Sequence, residues 1–145
     1  MIVLDANVLI SAYDAQAEHH VSAKQLIEGT FSSSEPVAIP LQSVLAFLRI
    51  MTNTHLPGLR FTAQEAIEIV EEWWQQPQVR LLHAGEDHWH RLRTAMWEGS
   101  CRAGLTTDAH IAAITMECGG TLYSYDRDFS RFPGLRWRVP SEEGA

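Results

Sequence analysis

The sequence predicts an α/β fold: three layers, α/β/α, with a central parallel sheet of about five strands. Three observations carry that prediction. Short apolar runs alternate with longer segments of helical periodicity. The runs are apolar on consecutive residues rather than alternate ones, as in strands buried on both faces. The length, 145 residues, suits one domain with one core over 1–145.

The elements follow in order. Ile2–Leu4 reads as the first strand and Val37–Ile39 as the second. Between them "FSSSEP" (31–36) is Ser-rich but too short for a domain linker. Residues 41–53 read as a helix. Thr62 followed by Glu65 is a capping box, opening a helix over 62–75 whose stripe is Ala66, Val70 and Trp73. Val79–Leu82 is the third strand. The 86–98 segment is a helix with Trp89, Leu92 and Met96 as its stripe. Thr107 is read as the cap of the next helix, where Ala109, Ala112, Ala113 and Met116 share a face. Gly119-Gly120 ends that helix. Thr121–Ser124 and Leu135–Trp137 complete the sheet. Trp73, Trp74, Trp89 and Trp97 are read as core or interface filling rather than base-stacking platforms.

Bulk properties exclude several classes. The hydrophobic share is 46%, ordinary for a soluble globular chain. No apolar run approaches the ~20 residues of a membrane helix. "MIVLDANVLI" lacks the basic region and cleavage site of a signal peptide. Cys101 and Cys118 have no metal-ligand spacing and read as reduced thiols, so the chain is expected in the cytoplasm. A net charge of −7 argues against coating nucleic acid through a broad basic surface. It leaves room for a small acidic site that meets phosphate through a metal ion.

The carboxylates fall where such a site would be. Asp5 follows the first strand, and Asp126 and Asp128 follow the fourth. Asp108 sits in the first turn of a helix, where the backbone dipole favours an anion. Open α/β sheets bind ligands beyond the carboxyl ends of their strands, near the reversal of strand order. If strands one and four are neighbours, Asp5 faces Asp126 there. Each acid alone could be a cap or turn residue. Together they repel unless protons or cations intervene, and a hard divalent ion removes the repulsion. The pattern points to a metal-dependent phosphodiester hydrolase.

The segments "LDANVL" (4–9), "VLAFLRIMTN" (44–53), "TTDAHIAA" (106–113) and "YSYDRDFSRFPGLRW" (123–137) make the chain similar to a known family. It resembles the PIN-domain ribonucleases, especially the toxin half of VapBC toxin–antitoxin pairs. The resemblance implies that Asp5, Asp108 and Asp126 hold Mg²⁺ or Mn²⁺. Asp128 is then an accessory acid that braces the others or binds a second ion. Asn7 and Ser124 are polar groups that orient ligands or water. The implied reaction is endonucleolytic cleavage of RNA by a metal-activated water, with structured RNA such as tRNA as the substrate. The implied partners are a VapB-type antitoxin and a second copy in a homodimer. The helices at 41–53, 62–75 and 86–98 are the candidate surfaces for them.

One departure stands out. Many PIN domains carry a glutamate where "LAFLR" has Ala46, and no acid occurs from Pro36 to Gln64. Gln42 and Ser43 lie a turn earlier on the same helix face and could stand in. Arg49 shares that face and could meet a phosphate, as could Arg127, Arg131 or Arg136. The loss raises an alternative: a weakened PIN-like domain that binds RNA or protein without cutting. A phosphatase using Asp5 as nucleophile fits poorly, because Asn7 stands where its second aspartate belongs. The seven histidines show no i, i+4 pair and read as exposed rather than zinc-binding, and His110 as pointing away from the acids.

Overall fold

The computed structural model describes residues 1–141. The elements run β1 (Ile2–Leu4), α1 (Ala6–Tyr13), α2 (His20–Phe31), β2 (Val37–Pro40), α3 (Leu41–Met51), α4 (Ala63–Gln75), β3 (Val79–Leu82), α5 (His88–Glu98), α6 (Leu105–Glu117), β4 (Thr121–Tyr123) and β5 (Trp137–Arg138). A 3-10 turn spans Arg127–Arg131 between β4 and β5.

The five strands form one sheet in the order β3-β2-β1-β4-β5, and every pair is parallel. Consecutive apolar residues make this arrangement possible. In β1, Ile2 and Leu4 pack on one face with α1 to α4. Val3, between them, packs on the other face with α5, α6 and the 3-10 turn. A polar residue at either site would face a core. On the first face Phe47 meets Trp73 at a ring separation of 4.8 Å and Tyr13 at 5.5 Å, both edge-on. The Trp73 indole N–H donates to the Tyr13 hydroxyl at 2.9 Å, so this aromatic group buries no orphan donor.

The chain leaves β1 toward β2 and β3, then returns to place β4 on the other side of β1. Strand order therefore reverses between β1 and β4, with Leu4 in register with Tyr123. Asp5 and Ser124 emerge side by side at that point.

The local signals mostly agree with the structure. Thr62 and Glu65 form the reciprocal capping box. Gly119 follows α6 with φ +68°, a conformation a side chain rarely adopts. Three expectations are corrected. Thr107 does not cap α6: the helix begins at Leu105 after Gly104. Ala103 has φ +53° and Gly104 is already helical, so no extended residue is left to act as a side-chain cap. The fifth strand starts two residues later than expected, because Leu135 is held in a turn by its N–H bond to the Phe132 carbonyl. Trp89 and Trp97, read as core or interface filling, lie outside the core: they are 68% and 83% exposed in the single chain, which leaves the interface part of that reading. The packed stripe of α5 is Leu92, Ala95 and Met96, and Trp89 stands one turn before it. Trp73 is buried as expected, and Trp74 is half-buried.

Phe47 is fully buried at the meeting of α1, α3 and α4. Phe47→Ala is expected to lower unfolding free energy by ~3–5 kcal/mol, read as a lower urea midpoint with an unchanged slope.

Candidate functional site

The Ser124 side chain organises the sheet's carboxyl end. Its hydroxyl donates to Asp5 Oδ2 at 2.6 Å. It accepts from Asn7 Nδ2 at 3.1 Å and from the Asp126 backbone N–H at 3.0 Å. One donor and two acceptor sites are all a hydroxyl has, and each is used. The Asn7 orientation follows: its Oδ1 accepts the Tyr125 N–H at 3.2 Å, leaving the amide group to face Ser124. The backbone of Ser124 is equally held. Its N–H bonds to Arg138 and its carbonyl accepts the Trp137 indole N–H at 3.0 Å. Ser124 is fully buried.

Asp5 is the N-cap of α1, with Oδ1 accepting the Ala6 N–H at 2.9 Å. The cap and the site are thus one residue. Asp126 caps the 3-10 turn, and its Oδ1 accepts the Asp128 N–H at 2.9 Å. Asp108 enters from the first turn of α6. One carboxylate oxygen from each of Asp108, Asp126 and Asp128 lies within 4.8 Å of the other two. Asp128, read from the sequence as an accessory acid, offers an oxygen to this group as Asp126 does. Asp5 adjoins it through the Ser124 bridge and through its field.

That field is visible in the titration of the acids. Burial pushes Asp108 up from the ordinary 3.8 to about 6, and the charges of Asp126, Asp5 and Asp128 push the same way. The Arg131 guanidinium opposes them. Asp5 is also raised, mainly by burial, against the hydrogen bonds from Ser124 and Ala6. All-oxygen donors under mutual repulsion suit a hard divalent cation. The residues fit a metal ion.

No hydrogen bond or ion pair joins the remaining candidates to these acids among the described residues. Ser43 is buried in the first turn of α3, and its hydroxyl has no hydrogen-bond partner among the described residues. Ala46 and Gln42 are half-buried on the same helix. Arg49 is exposed and in no ion pair among the described residues. Arg131 is not a solvated charge: it is half-buried and donates to the Gly99 carbonyl at 2.8 Å. Arg136 is held by the Gly119 carbonyl. His110 points away from the acids, as expected, but into a network the sequence did not reveal. Its Nδ1 meets His88 Nε2 at 2.7 Å, and His88 in turn meets Glu117. His88 is therefore not an exposed histidine. The i, i+7 spacing of His110 and Glu117 on α6 was a signal for a shared face, but the partner comes from α5.

The PIN domain family profile matches residues 2–135. The chain belongs to the PIN-domain family. A relative from Mycobacterium tuberculosis named Ribonuclease VapC37 is 33% identical over 140 residues, covering 97% of each chain. The fold of this PIN domain is similar to that of Mycobacterium tuberculosis VapC20, described as a Sarcin-Ricin loop cleaving toxin, with TM-score 0.67 and 22% identity over 94% of this chain and 99% of that one. It is also similar to a chain of a toxin–antitoxin complex from Klebsiella pneumoniae, with TM-score 0.65 and 18% identity over 97% and 98%.

Two outcomes follow for this PIN domain. Ser124→Ala removes the partner of Asp5 Oδ2, of Asn7 Nδ2 and of the Asp126 N–H, so it is expected to destabilise by about 1–3 kcal/mol in denaturant unfolding. Asp108→Asn is expected to raise the melting temperature of metal-free protein at pH 7. The sign follows from linkage: a carboxyl raised from 3.8 to about 6 is penalised when ionised in the fold. The penalty grows as pH rises from about 4 to about 6 and then levels, so the gain in melting temperature must shrink as pH falls through that window.

Proposed function

We propose that this chain is an endoribonuclease dependent on Mg²⁺ or Mn²⁺, and the toxin of a type II toxin–antitoxin pair. Its one PIN domain, over 1–145, cleaves structured RNA of the tRNA or rRNA kind in the cytoplasm. The observation that carries the reading is the convergence of Asp108, Asp126 and Asp128 oxygens within 4.8 Å at the strand switch point. The relative named a ribonuclease, 33% identical over nearly its whole length, supports the chemistry. The described residues contain no helix long and apolar enough to cross a membrane.

Asp108, Asp126 and Asp128 would hold the ion, with Asp5 completing the negative site. When bound, such an ion neutralises the cluster and polarises a phosphoryl oxygen. The chain's own residues do the rest. Ser124 fixes Asp5 and the backbone of Asp126 at once, so the two strands present their acids in one geometry. Asn7 braces Ser124 and the peptide of Tyr125. Asp5 is fixed on both oxygens, by the Ser124 hydroxyl on one and the Ala6 N–H on the other. Arg49 and Arg127, both exposed, can contact phosphate, and Ser43, buried in the first turn of α3 with its hydroxyl unpartnered among the described residues, can stand in for the acid absent at Ala46.

The partner is a VapB-type antitoxin, consistent with the toxin–antitoxin complex among the similar structures. Exposed aliphatic side chains gather on α3, α4 and the loop joining them: Leu41, Leu45, Leu56, Leu59 and Ile67. That face suits the antitoxin or the second copy of a homodimer.

Purified chain with Mn²⁺ or Mg²⁺ is expected to cut tRNA or rRNA, and chelation to stop it. Asp126→Asn is expected to lose more activity than the roughly 10–100-fold typical of an outer partner such as Ser124. Saturating Mn²⁺ should raise the wild-type melting temperature, and Asp126→Asn should lose most of that rise. Metal binding without cleavage of any RNA would leave the non-cutting alternative standing.

A further inference from the structure

Two of the largest side chains in the protein are spread on water. Trp89 is 68% exposed and Trp97 is 83% exposed, both on α5. Eight residues of helix separate them by about 12 Å and about 80° around the axis, and Arg93 falls midway on the same face. Arg93 Nη2 meets His90 Nδ1 at 2.9 Å, and no carboxylate pairs with it among the described residues. A shallow hollow beside Trp97 is lined by Arg93, Thr94 and Glu98.

We propose that this face of α5 is a binding site for a single-stranded segment of RNA substrate, outside the acid cluster. The inference rests on the ribonuclease reading. Three observations support it. The first is chemical type. The exposed apolar residues of α3 and α4 are aliphatic, which suits a protein surface, whereas α5 offers two flat indoles flanking a guanidinium. Bases of any identity stack on such rings, and arginine adds phosphate and cation–π contacts.

The second is charge. The chain carries −7 overall, and Arg91, Arg93 and Arg102 lie on or just after α5 beside the acids Glu86, Asp87 and Glu98. None of the three arginines is in an ion pair among the described residues. Guanidinium groups left unpaired by the acids around them stay available to phosphate. The third is continuity. Gly99 follows α5 directly, and its carbonyl accepts from Arg131, whose charge reaches Asp108. Trp97 is two residues from that link. A strand laid along α5 thus runs toward the acids past Arg131. The spacing of the indoles exceeds the ~3.4 Å step between stacked nucleotides, so each ring takes a separate base.

The test separates this surface from the acids. Binding of an oligouridylate of about twelve nucleotides, within the reach of such platforms, is followed by fluorescence anisotropy without divalent metal. Trp89→Ala with Trp97→Ala is expected to weaken it about 10-fold or more, and Trp→Phe at both sites to restore part of the loss. Arg93→Ala is expected to reduce the slope of log affinity against log salt by about 1, which a merely structural change would not do. In cleavage assays the double variant should raise KM for long RNA and leave turnover of a trinucleotide unchanged. Unaltered oligouridylate affinity in a folded double variant would overturn the proposal. So would unaltered RNA affinity with loss of antitoxin co-purification or of dimers, which would make the face a protein interface. A chain that cuts no RNA, yet binds oligouridylate through these rings, would overturn the nuclease reading and leave the binding site standing.

Discussion

Several negative charges must be kept together at one end of a sheet, and the hydroxyl of Ser124 is the interaction that permits it. Carboxylates a few ångströms apart repel, and a flexible set would swing apart into water. Here two of the segments cannot separate. A single buried oxygen donates to Asp5 from β1 and accepts from the backbone beside Asp126 after β4. Its other acceptor site is taken by Asn7. The positions of Asp5 and Asp126 are thereby set by the pairing of β1 with β4, which the core enforces through Val3, Leu4 and Leu122.

The acids are held against their own electrostatics, and the strain shows in Asp108. Helix α6 begins at Leu105, so Asp108 lies in the first turn where the dipole should favour its charge. Burial and three negative neighbours nevertheless win, carrying it to about 6. The dipole effect amounts to at most about 2 kcal/mol at a partly buried site and does not offset the opposing sum. Arg131 moderates the balance without cancelling it, because its guanidinium is also engaged by the Gly99 carbonyl. A folded protein that tolerates this gives up stability to hold carboxylates of definite charge and donor type together, as functional sites do.

The sequence disclosed the sheet because strands buried on both sides carry their signature in consecutive residues. Ile2–Leu4 and Val79–Leu82 could be read to the residue, as could the capping box of Thr62 and Glu65, since these signals are local. The acids past β1 and β4 pointed to a site only as a group, since each alone is also a cap: Asp5 does cap α1 and Asp126 does cap the 3-10 turn. What could not be read depends on tertiary packing. Whether α6 is capped by Thr107 turns on the backbone of Ala103 and Gly104, and that is set by how α5 hands over to α6. The exposure of Trp89 turns on where α6 stops covering α5, although its period placed it on the stripe. The ranking of Asp128 beside Asp126 depends on the 3-10 turn, which a one-dimensional pattern does not show.

The surface divides by chemistry in a way that bears on how one small acidic protein could serve two macromolecules. Leu41, Leu45 and Ile67 lie on helices that pack against one face of the sheet; Trp89 and Trp97 lie on a helix that packs against the other. Aliphatic side chains gain from any partner that excludes water, so they suit a protein held for long times. Indoles beside an arginine gain from aromatic faces and phosphates even when solvent remains, which suits a substrate that must leave. Both faces share an edge at the carboxyl ends of β1 and β4, where the acids sit. A protein bound to the α3–α4 face could therefore reach the acids without covering α5. Inhibition of the site and loss of RNA binding are then separable properties of the same fold.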